Sequence, residues 1–140
     1  MNKEIIEKIN NIIDHYRNTE IVKLDGNFLS QTAVKLAAYK VNLGEFIGEI
    51  EPKANAKEIE RKNKWSDLYA EARQSEEKRT VDDCKAIADK QVRKLVSAEI
   101  NLKNDLILVK NLRQDVGDLI STIQSRLSYL KQERQDGNID

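Results

Sequence analysis

A chain of 140 residues suits a single domain with a real core, and 34% charged residues with 5% aromatics and one proline describe a helical protein, not a sheet protein. Its 24 basic and 24 acidic residues cancel, which excludes whole-molecule attraction to nucleic acid or membrane and leaves local patterning as the source of any such binding. Residues 52–94 carry 12 basic against 9 acidic groups, while 1–51 carry 6 against 8 and 95–140 carry 6 against 7, so the middle is the basic region.

The opening "MNKEIIEKINNIID" interrupts its isoleucines with acids and lysines, so it lacks a signal-peptide core, and no run approaches a membrane span. A soluble, cytoplasmic protein that makes no membrane contact is expected. Ile5, Ile6, Ile9, Ile12, Ile13 and Tyr16 recur at three- and four-residue spacing and predict an amphipathic helix over 3–17. A loop over 18–29 follows, in which Asp25 and Gly26 suit a turn and Glu20–Leu24 could be extended.

Ser30 is the expected N-cap of a long helical segment over 30–74. Leu29, Leu36, Leu43 and Ile50 repeat every seven residues along it, and Gly44 and Gly48, one turn apart, offer a side for close helix approach. Pro52 either opens a new helix at its first turn or kinks a continuous one. After the polar gap "SEEKRT", Thr80 and Asp83 form a capping box for a C-terminal helical segment over 80–133. Val81, Cys84, Ile87, Ala88, Val92, Leu95 and Val96 make its first apolar face.

A heptad pattern comes next: Leu102, Val109, Val116, Ile123 and Leu130, with Leu112 and Leu119 between them. At helical rise these 29 positions span roughly 43 Å, a length that calls for a partner helix, from this chain or from a second copy. The polar tail 134–140 is expected to fray. The fold class is therefore all-α: a long-helix bundle of three to four helices with coiled-coil-like packing, self-associating, in one domain over 1–133.

Chemistry is sparse. One histidine, His15, and one cysteine, Cys84, make no nucleophile–base pair, and a lone cysteine fits a reducing compartment. Neither metal-ligand spacing nor a glycine-rich phosphate loop occurs, so no enzyme activity, metal or other cofactor is expected.

The distinctive stretch is "ERKNKWSDLY", which sets the single tryptophan beside the densest basic cluster. On a helix Lys53, Lys57, Arg61 and Lys64 fall at about 0°, 40°, 80° and 20°, one stripe roughly 16 Å long that could track a phosphate backbone. Trp65 falls at about 120°, beside Leu68 and Ala72, and belongs to a packing seam. The alternative is a solvated face on which Glu58, Glu60 and Glu71 pair locally with the cations.

A basic helical segment, "EIERKNKWSDLYAEAR", after a short N-terminal unit, and a long apolar-periodic C-terminal helix, "LKNDLILVKNLRQDVGDLISTIQSRLSYLKQER", resemble the UvsY-like phage recombination mediators. The resemblance covers most of the chain. It implies a helical homo-oligomer that binds single-stranded DNA, with Lys57, Arg61, Lys62 and Lys64 in the comparable region. It also implies a recombinase or a single-strand-binding protein as partner, and a role in loading the recombinase. Two other readings stay open: a phage or mobile-element protein that binds and inhibits a host defence protein, and a structural or scaffolding coiled-coil subunit.

Overall fold

The isoleucines of the first segment do wind into a helix, α1 (Lys3–Asn18), which buries Ile9 and Ile13. The computed structural model describes residues 3–137. Thr19 closes α1, its hydroxyl donating to the His15 carbonyl at 2.6 Å. Within the expected loop, Glu20–Leu24, which could have been extended, holds a 3-10 turn, Ile21–Lys23, in which the Lys23 and Leu24 amides donate to the carbonyls of Glu20 and Ile21. An isolated extended segment has no neighbouring strand for its backbone groups, whereas a turn satisfies them locally.

Helix α2 runs Gly26–Gln74. Its cap is not Ser30: the Asp25 carboxylate accepts the Phe28 amide at 2.7 Å, and the Asp25 carbonyl accepts the Leu29 amide. A carboxylate both accepts a free amide and complements the positive end of the helix, so the helix starts a turn earlier than the serine. Pro52 lies inside α2 and does not end it. Pro52 is exposed, and so is Gly48 one turn before, whose carbonyl loses the amide donor that proline lacks.

The gap Ser75–Thr80 falls where expected, and Thr80 and Asp83 exchange the two bonds of a capping box, at 3.1 and 3.4 Å. The expected single segment over 80–133 is two helices, α3 (Val81–Gln91) and α4 (Arg93–Gly137), parted at Val92. Neither glycine nor proline marks that break. Val92 takes φ −94° and ψ 3°, a one-residue departure across which its amide still donates to the Ala88 carbonyl and its carbonyl accepts the Val96 amide, and its side chain is buried with Leu68 and Ala88. Of the tail expected to fray, residues 134–137 are helical, and 138–140 lie outside the described residues.

Among the described residues there is no strand, and the architecture is an all-α bundle of long helices. Its contacts form two units, Met1–Phe46 with Val109–Asp140, and Ile47–Leu108. In the first, Leu29, Leu36 and Leu43 of α2, Ile9 of α1, and Val109, Val116 and Ile123 of α4 are all fully enclosed. Arg113 lies over Gly44 and Lys40 over Gly117, so α2 and α4 run antiparallel in this unit.

The second unit buries Ile50, Ala54, Leu68 and Ala72 of α2 with Cys84, Ala88 and Val92. Here too α2 and α4 run antiparallel, since Arg61 pairs with Glu99 and Glu58 with Lys103. The α4 heptad is thus filled from within the chain: Val109, Leu112, Val116 and Ile123 are buried, and Leu102, Leu119 and Leu130 are half-buried. The glycine pair does not receive a helix. A Cβ at Gly44 would meet the Arg113 guanidinium at 3.5 Å, and one at Gly48 would meet nothing within 4 Å.

Candidate nucleic-acid interface

The basic stripe lies on α2 in the second unit, and the structure divides its members. Arg61 turns inward. Its guanidinium grips both carboxylate oxygens of Glu99 on α4, donating through Nε and through Nη2, the latter at 3.3 Å. Lys103 adds a third bond to Glu99 at 2.8 Å.

Glu99 is buried, with 5% of its surface exposed, and three charge-assisted bonds compensate a carboxylate that would otherwise lose its hydration. Hydrogen bonds from Arg61 first, and then from Lys103, outweigh burial and hold its pKa down to about 2. The same bonds raise the pKa of Arg61 and of Lys103. Arg61 therefore joins α2 to α4, and its expected place on an exposed phosphate track is corrected.

Glu58 extends the network. It pairs with Lys62 at 3.0 Å and with Lys103 at 3.7 Å, and the Lys62 bond is the main reason its pKa is lowered. Lys57 pairs with Glu60 at 3.1 Å along the same helix. Such exposed pairs within a helix exchange readily with solvent, being worth about 0.3–0.5 kcal/mol each. Lys53 and Lys64 are exposed and hold no carboxylate partner among the described residues. The stripe left to an outside anion is Lys53, Lys57 and Lys64, with Lys62 to one side.

Trp65 sits where the seam requires it. Its ring lies parallel to that of Tyr69, 5.3 Å away, and packs against the buried Leu68, Ala88 and Val92. The indole N–H donates to Asp89 of α3 at 2.7 Å. One face and the polar edge of the indole are thus engaged inside the chain. The ring also borders a shallow open groove with Arg93, Val96 and Ser97.

The anchoring roles of Glu99 and Asp89 were not part of the sequence expectation. A signal for the first exists: Glu99 stands seven residues from both Val92 and Leu106, so a carboxylate occupies an apolar register. Arg61 likewise stands between Ala54 and Leu68.

Elsewhere, His15 meets the Phe28 ring edge-on at 5.5 Å, and Cys84 is fully buried. Among the described residues no three His, Cys, Asp or Glu side chains converge as metal ligands, and no helix is long and apolar enough to cross a membrane. Compared with known proteins, the chain matches no family model, no curated protein and no solved structure.

Proposed function

We propose that the protein is a non-enzymatic, self-associating helical protein that holds single-stranded DNA along α2 of the second unit and serves as a recombination accessory, assisting recombinase loading. The observation that carries this reading is the line of Lys53, Lys57 and Lys64 on one edge of α2. Two of these lysines have no internal partner, while Glu58 and Glu99 are drawn into the α2–α4 network and away from that edge. The likeness of the basic segment and the long C-terminal helix to the recombination mediators gives the ligand and the role.

Three lysines neutralising one phosphate each would give a salt slope of about −2 on single strands. Anisotropy of a fluorescent oligothymidine titrated at several salt concentrations measures it. Lys53→Glu with Lys64→Glu should weaken binding at least about tenfold and leave the circular dichroism unchanged, since both side chains are exposed. A wild-type protein that does not bind at low salt ends this reading.

A second reading, capture of a host protein, is favoured by exposed apolar side chains on α4: Ile100, Ile107 and Leu108 expose 50%, 55% and 46% of their surface. Under it, Ile107→Lys abolishes co-purification of the host protein, while reversal of Lys53 and Lys64 has no effect on it.

A further inference from the structure

A solvent-facing helix line in a chain with 34% charged residues should carry charge, and one line on α2 in the first unit does not. Ser30, Val34, Ala37 and Val41 follow one another at spacings of four, three and four, about 130° round the helix from the enclosed Leu29, Leu36 and Leu43. All four are exposed, Val34 by 71% and Val41 by 62%. The neighbouring helices flank this line without covering its valines. α1 borders a groove with Phe28, Gln31 and Thr32, and α4 runs along the other flank, sharing an open groove with Ser30 at Leu127 and Leu130 and meeting α2 again beside Lys40 and Gly44. The line is a second heptad seam with valine at the a positions and small residues at d, and no described residue covers Val34 or Val41.

The charges flanking this seam say what covers it. Lys40 stands at the g position before Val41 and Glu45 at the e position after it, five residues on, so they flank opposite sides of the strip and cannot meet within one helix. Neither has an ion-pair partner among the described residues. The Lys40 ammonium rests over Gly117, within 3.3 Å of where a Cβ would stand.

In a parallel pair of heptad helices, g of one chain faces the following e of the other, which sets Lys40 against Glu45 of a second copy, twice by symmetry. An antiparallel pair sets g against g and e against e, and gives neither residue an opposite charge. We infer that the protein forms a parallel two-fold dimer through this face of α2, with Val34 and Val41 meeting their counterparts and Lys40 pairing with Glu45 across the axis. This rests on the self-association in the proposed function and supplies its surface, in place of the α4 heptad that the chain fills itself.

Sedimentation equilibrium of the full chain across a range of concentrations tests it, with far-UV circular dichroism as the control for folding. The wild type should approach twice 16.1 kDa. Val41→Lys, at an exposed position, should remain folded and monomeric. Lys40→Glu and Glu45→Lys should each weaken the dimer about tenfold, and the double variant, which restores opposite charges, should recover it. A wild type that is monomeric throughout, an assembly indifferent to Val41→Lys, or a double variant no better than the singles overturns the inference. Oligothymidine anisotropy on the same samples separates the two proposals: DNA binding by a monomer removes the dimer alone, and a dimer without DNA binding removes the DNA reading alone.

Discussion

Two residues in the basic segment change meaning once their neighbours are known. Arg61 and Lys64, both candidates for a phosphate contact, differ in that Arg61 faces a buried carboxylate and Lys64 faces water. The Glu99 site also gives the protein an acid-sensitive element. Because its folded pKa is depressed to about 2 from an ordinary 4.5, the unfolded chain takes up the proton first as the pH falls. The stabilisation is therefore complete above pH 4.5 and lost on acidification toward pH 2. Glu99→Gln should lower the melting temperature by several degrees at neutral pH, and its gap to the wild type should close over that acid window. A gap that stays constant with pH would show that Glu99 does not titrate as the geometry requires. Trp65 completes the residue scale: with its N–H on Asp89 and its ring on Tyr69, it staples α3 to α2.

Among the elements, α2 is the one whose integrity the sequence left open. A proline in a helix interior removes a hydrogen bond and costs about 3 kcal/mol. Here Pro52 and Gly48 are both exposed, so water can serve the carbonyl left without a donor and the helix passes through. Pro52→Ala should accordingly stabilise the protein by about 1–3 kcal/mol in urea unfolding, with the helical signal undiminished. A neutral or destabilising result would mean that Pro52 occupies a first-turn position, where its missing N–H costs nothing. The departure at Val92 is the converse case, without a breaker. Propensity alone favours continuation there, and the hydrogen bonds do continue across it, from Val92 to Ala88 and from Val96 to Val92, while the Val92 side chain is buried with Leu68 and Ala88.

Across the whole molecule, contacts differ in how much chain they must close. Trp65 reaches Asp89 over 24 residues, whereas in the other unit Lys40 lies over Gly117, 77 residues on. The entropy difference between loops of these lengths is about 1 kcal/mol, which favours early closure of the α2–α3 contacts. Leu68→Ala should then slow folding, and Leu43→Ala should mainly speed unfolding, each costing about 2–5 kcal/mol at equilibrium. Stopped-flow chevrons for the two variants measure this, and equal φ-values would contradict the order.

At the same scale it is clear what the sequence determined by itself. Helical class, the α1 and α2 apolar stripes, the gap at Ser75–Thr80 with its capping box, and Trp65 as a packing residue all follow from local periodicity and cap chemistry, which act over a few neighbours. Even the inward turn of Arg61 and Glu99 was partly legible, as two charges in core register, 38 residues apart. Only the tertiary structure decided that these two meet and that α4 fills its heptad from within the chain. Each depends on which face another helix covers, and covering is a property of pairs of elements distant in sequence. The same reason exposes the uncharged Val34–Val41 line: which apolar stripe of α2 becomes core depends on where α1 and α4 pack.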